Sequence, residues 1–238
     1  MGKHRWSLLV AAVAALLVSG CVAIPQQKFV KEVHICTADD CDTANHKYSA
    51  EQLLAGFQQL LKANEGEKVT ICDSDPKTRA CESVGFCYFV LGGTLPGNGC
   101  SQSIVFSEIA MGNQPGQLAL KADMPLTFIW TPLKCASMTG TLSVRSADEI
   151  SFEFQPYYCN WMAVGNMSAT FNFAVESLDL SRGQVGGYAS HAVKGTGNGR
   201  GSGYVILKFQ KAMPGGDNWL VGQPVPPLPR TQLSGAEH

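Results

Sequence analysis

Apolar and polar positions change their spacing several times along this chain. From Leu8 to Val18 the residues are apolar or small without interruption, after a short basic start of Lys3, His4 and Arg5. Between residues 28 and 36, Phe29, Val30, Val33 and Ile35 alternate weakly, which fits a first strand. Leu53, Leu54, Phe57, Leu60 and Leu61 then recur at helical spacing. Ser49 and Gln52 stand at the N-cap and N3 positions of a capping box, so a helix is predicted from there to about Asn64-Glu65-Gly66. Its apolar stripe should face a sheet.

Past Gly66 the period becomes two. Val69-Thr70-Ile71 reads as a short strand, followed by a turn over Cys72-Asp73-Ser74-Asp75-Pro76. Phe86 to Leu91 is a continuous apolar run of buried-strand length, and Gly92-Gly93 and Pro96-Gly97-Asn98-Gly99 are expected to break it. Ile104 to Ile109, Gln117 to Ala122 and Leu126 to Thr131 are further candidates. The clearest hairpin follows. Leu142 and Val144 alternate with polar residues, as do Ile150, Phe152 and Phe154, with Ser146-Ala147-Asp148-Glu149 as the turn. Phe171, Phe173 and Val175 continue the pattern, and Tyr204 to Phe209 is the last strong strand. About eight to ten strands at regular spacing predict a mainly β fold, an antiparallel β-sandwich or barrel with one N-terminal amphipathic α-helix. No internal repeat is visible.

Composition agrees with a β-protein: charged residues are only 16% of the 238, glycine is abundant, and Thr, Ser and aromatics are interleaved. The net charge of −1, with no basic block, argues against a nucleic-acid partner.

The basic start, the short apolar run and the small residues after it are the parts of an export signal. The run is too short to cross a ~30 Å hydrocarbon core as a helix. Val18-Ser19-Gly20-Cys21 resembles the lipobox of bacterial lipoproteins. That resemblance rests on these residues only. It implies cleavage before Cys21 by signal peptidase II, lipidation of Cys21, and a membrane partner through the lipid anchor. Val22 follows in place of the aspartate that retains enterobacterial lipoproteins in the inner membrane, so the implied address is the cell envelope at the outer membrane. The expected organisation is a signal peptide over 1–20, a lipidated tether over 21–27, a single disulfide-stabilised β-rich domain over 28–213 and a Pro/Gly-rich tail over 214–238. Pro226-x-x-Pro229-Arg230 superficially resembles a ligand of SH3 domains, but a loose tail is the simpler expectation.

Apart from Cys21 there are eight cysteines: Cys36, Cys41, Cys72, Cys81, Cys87, Cys100, Cys135 and Cys159. An even number in an exported chain points to disulfides. The absence of any Cys-x-x-Cys pair weakens a metal or redox alternative. Pairing of sequence neighbours, 36–41, 72–81, 87–100 and 135–159, would close short loops. Connectivity is not fixed by sequence, since eight cysteines allow 105 pairings.

Few residues suggest chemistry. Glycine occupies alternate positions from Gly195 through Gly197, Gly199 and Gly201 to Gly203, which matches neither a dinucleotide fingerprint nor a P-loop. Asn198-Gly199 favours a type I′ turn, so a glycine-rich hairpin is expected. Its bare face would let a backbone, a ring or a ligand approach closely. Ser190, His191 and Asp179 could in principle form a triad, with Ser202 a poorer nucleophile, but adjacent Ser190 and His191 on one strand point to opposite faces. Asp39, Asp40 and Asp42, like Asp73 and Asp75, read as turn residues before calcium ligands. Glu149 and Glu153 are what any half-exposed hairpin carries, although a carboxylate pair can serve glycoside hydrolysis. His34, His46, His191 and His238 lack zinc-like spacing. Tyr157, Tyr158, Trp161 and Trp130 fit core or sheet-edge positions better than a pocket lining. No catalytic residue, metal or cofactor is assigned. The sequence favours a non-enzymatic envelope lipoprotein with a binding, carrier or structural role. Its partner would be an envelope protein or a small apolar ligand. A lipocalin-like carrier and an envelope hydrolase are the alternatives.

Overall fold

Ser49 starts the helix as the capping box requires. Its hydroxyl accepts from the Gln52 backbone N–H, and the Gln52 side chain accepts from the Ser49 N–H at 2.8 Å. Helix α1 (Ala50–Ala63) buries Leu53, Phe57, Leu60 and Leu61 on one face. Asn64 closes it, and the Asn64 side chain is clasped by Lys211, donating to its carbonyl at 2.9 Å and accepting from its N–H at 2.8 Å. The computed structural model describes residues 34–36, 49–91, 97–128, 131–132, 134–135, 137–146, 149–161, 165–180, 182–195 and 198–212. The signal run, Cys21, the tether, Asp39, Asp40, Cys41, Asp42, His46, Gly197 and the tail lie outside the described residues, as do residues 28–33 of the expected first strand.

The strands, in chain order, are β1 (His34–Cys36), β2 (Lys68–Asp73), β3 (Ser83–Val84), β4 (Phe86–Leu91), β5 (Gly97–Ser101), β6 (Ser103–Met111), β7 (Gln117–Asp123), β8 (Leu126–Phe128), β9 (Thr131–Pro132), β10 (Lys134–Cys135), β11 (Met138–Ser146), β12 (Glu149–Trp161), β13 (Gly165–Asp179), β14 (Gln184–Gly195) and β15 (Asn198–Lys208). Among the described residues, eight of them form a closed antiparallel ring in the order β2-β6-β7-β11-β12-β13-β14-β15. The closing seam runs from Val205 opposite Asp73 to Lys208 opposite Thr70. That seam decides between the two predicted architectures: the fold is a barrel, because the last strand pairs with the first of the ring and leaves no second sheet to pack against.

Inside the ring, apolar residues alternate with polar outward ones: Leu118 and Leu120 on β7, Leu142 and Val144 on β11, Ile150, Phe152 and Phe154 on β12, Phe171 and Phe173 on β13. An eight-stranded barrel is just wide enough for side chains to fill or for one small ligand. Here an aromatic column fills its middle. Phe57 of α1 meets Phe152 edge-on at 5.7 Å, Phe152 meets Phe173 at 5.9 Å, and Phe171 reaches Phe86 at 6.5 Å. The helix thus plugs one end of the barrel.

Residues 74–91 and 97–102 leave the ring between β2 and β6 as a flap. Two expected disulfides secure it: Cys72–Cys81 at its base and Cys87–Cys100 across the β4–β5 hairpin, where the Cα atoms are 4.1 Å apart. The backbone of β10 places Cys135 directly opposite Cys159, the register a cross-strand bond needs. Cys36 lies on β1, which extends the free edge of β13, while Cys41 lies outside the described residues.

Several local expectations need correcting. Gly97–Ser101 is a strand paired with β4, so Gly97, Asn98 and Gly99 do not break the sheet as expected. Cys72 and Asp73 belong to β2, and the turn begins after them. The glycine-rich hairpin forms between β14 and β15, but Asn198 and Gly199 are the first residues of β15, opposite Leu91 and Val90 of β4. A type I′ turn at those two residues is therefore wrong. Gly195, the last residue of β14, is the glycine beside them with a positive φ, at 156°. Partner strands on both sides of β15 outweighed the local turn preference of Asn-Gly.

Candidate functional site

The glycine stripe of β15 shapes the end of the barrel away from the helix. Gly199, Gly201 and Gly203 stand opposite Val193, His191 and Ala189, all inward positions of β14. The close approach that bare glycines permit is made by β4. A Cβ on Gly201 would sit 2.6 Å from the Cys87 carbonyl oxygen and 3.2 Å from the Tyr88 Cα, and one on Gly203 would be in ordinary contact with the Phe86 ring. On the other side of the flap hairpin, a Cβ on Gly99 would fall within the Tyr88 ring. Tyr88 therefore lies flat over Gly99 and reaches into the barrel.

There it meets His191. The two rings are edge to face with centroids 4.8 Å apart, and Phe171 packs on the imidazole at 6.4 Å. His191 is 1% exposed and Tyr88 2%. Ser101, fully buried, shares the inner face of the β4–β5 ladder with Gly99, Phe86 and Tyr88. Among the described residues, the Tyr88 hydroxyl, the Ser101 hydroxyl and both ring nitrogens of His191 have no hydrogen-bond partner. Buried polar atoms are ordinarily bonded, and a cluster without protein partners marks a place for water or a ligand.

Burial alone lowers the His191 pKa from 6.5 to about 4. It likewise raises that of Tyr88 to about 12. Near neutral pH the site is uncharged. The imidazole offers one donor and one acceptor, and each hydroxyl can do either. A single histidine with two hydroxyls is a poor metal cradle.

The other predicted residues do not join this cluster. Ser190 and Ser202 face each other across β14 and β15 on the outer surface. Asp179 sits eight residues beyond Phe171, the partner of His191, and accepts from the Arg182 N–H at 3.0 Å. The register puts Asp179 opposite Gln184, roughly 23 Å along β14 from His191. No triad assembles among these four. Glu149 pairs with Arg145 at 2.7 Å, and Glu153 is exposed on β12. Asp75 accepts from the Lys77 N–H at 2.6 Å, the behaviour of a turn residue. Tyr158 is 65% exposed, which places it outside the core. Sequence patterning offers His191 as a triad member or a zinc ligand and does not single out Tyr88 or Ser101. The available signal was weak: a tyrosine inside an otherwise apolar run and a serine after a glycine-rich strand.

No family model matches the chain, and a search of curated proteins finds no match either.

Proposed function

We propose that the protein is an exported, lipid-anchored barrel of the bacterial cell envelope that binds a small, largely apolar ligand at the flap end. The observation that carries this is the set of buried, unpartnered polar atoms on Tyr88, Ser101 and His191 in an otherwise apolar interior. The aromatic column occupies the middle of the barrel, so the ligand belongs beside the flap and a deep central cup is disfavoured. That distinguishes the arrangement from an open lipocalin-like carrier while keeping the carrier role. The hydrolase alternative loses support because Asp179, Ser190 and Ser202 lie away from His191.

Solvent extraction of protein purified from envelopes, followed by mass spectrometry, should recover a small molecule in near-stoichiometric amount. His191→Phe, which replaces the imidazole with an apolar ring, should lose it while remaining folded. An empty extract from folded wild-type protein would overturn the ligand-binding proposal.

The anchor is tested separately. Cys21→Ala should abolish incorporation of labelled acyl precursor and leave the precursor uncut. Undiminished labelling of that variant would show that the lipobox resemblance misleads.

A further inference from the structure

Resting on the ligand-binding proposal, we infer the ligand's class: an uncharged molecule with a flat or ring-shaped apolar body and a single group able to donate and accept a hydrogen bond, a phenol or alcohol in preference to a carboxylate or an amine. The walls and the polar atoms both point there. Phe86, Phe171 and the Tyr88 ring supply apolar, edge-on surfaces of the kind that receive another ring.

The electrostatics exclude charge. Strands β4 and β5 carry no ionisable acid or base apart from Tyr88 and the disulfide-bonded Cys87 and Cys100. On β14 and β15 the nearest charged residues, Lys194 and Arg200, are exposed and alternate with the inward positions Val193, Gly199 and Gly201. On β13 the acidic residues are Glu176 and Asp179, five and eight positions beyond Phe171. An ionic ligand would enter without a counter-charge, which is strongly unfavourable in an apolar interior. A purely apolar ligand would leave the imidazole and both hydroxyls unpaired. A neutral hydroxyl pairs part of the set: it can donate to one imidazole nitrogen and accept from the Tyr88 hydroxyl.

The experiment uses full-length protein labelled with ¹⁵N-histidine, with the His191 ring signals identified by their absence in His191→Phe. Four probes of one size are added at neutral pH: p-cresol, toluene, benzoate and benzylammonium. p-Cresol should shift the His191 ring nitrogens saturably. Benzoate and benzylammonium should bind at least about a hundredfold more weakly, and toluene about tenfold more weakly without moving those nitrogens. Tyr88→Phe should weaken p-cresol about tenfold and leave toluene unchanged. Equal or tighter binding of benzoate or benzylammonium overturns the inference of a neutral ligand, and equal binding of toluene overturns its hydrogen-bonding part. If none of the four binds while solvent extraction still yields a molecule lost in His191→Phe, the class is wrong and the site stands. If the extract is empty too, the site itself falls.

Discussion

Phe152→Ala is expected to lower the free energy of unfolding by about 3–5 kcal/mol, the range for deleting a fully buried phenylalanine. Phe152 is 1% exposed and touches three rings: Phe57 of the helix at 5.7 Å, Phe106 at 6.2 Å and Phe173 at 5.9 Å. Removing it costs the transfer energy of the ring and leaves a void where the helix joins the barrel, since closely packed neighbours relax only in part. Denaturant titration of the variant beside Phe89→Ala measures this directly. Phe89 is 49% exposed on the flap and should lose well under about half as much. A loss below about 1 kcal/mol for Phe152→Ala would mean that the aromatic column does not hold the helix to the barrel.

That column was legible in the chain because it obeys simple periods. Phe152, Phe154, Phe171 and Phe173 alternate with polar residues, and Leu53, Phe57, Leu60 and Leu61 follow the helical repeat, so type and inward face were readable residue by residue. Closure was not legible. It depends on Val205 to Lys208 finding Thr70 to Asp73, a pairing across most of the chain that no local pattern encodes. β14 is faint in the sequence because Gly186, Gly187 and Ala189 occupy places where a strand normally shows branched side chains. Its glycines have a packing reason: a Cβ on Gly187 would collide with the Ala174 carbonyl, and one on Gly186 would lie 2.7 Å from the Tyr204 hydroxyl.

The two observed disulfides join cysteines near in sequence, which made them guessable. The candidate site is the opposite case. Tyr88 and His191 are brought together only because the flap folds back onto β15, and glycines on both sides let it come close. Asn198-Gly199, a turn by local preference, instead opens the strand on which the site is built.

The buried histidine makes the fold sensitive to acid in a defined window. Its pKa is about 4 in the fold against an ordinary 6.5. Between those values the unfolded chain binds a proton that the folded chain does not, so stability rises with pH there. The contribution is fully present above about pH 6.5, declines as pH falls, and is lost by about pH 4, amounting to roughly 3 kcal/mol over the whole window. Tyr88, the titratable group facing it, stays neutral throughout, since burial holds it up at about 12. His191→Phe keeps a flat ring against Tyr88 and Phe171 but has no proton to take up. Its unfolding free energy should therefore depend less steeply on pH between 6.5 and 4.5, a range that stops above the ordinary carboxylate pKa values. Urea titrations of both proteins across that range give the two slopes. Equal slopes would show that His191 is protonated in the fold as readily as in the open chain, and the uncharged character assigned to the flap-end site would go with it.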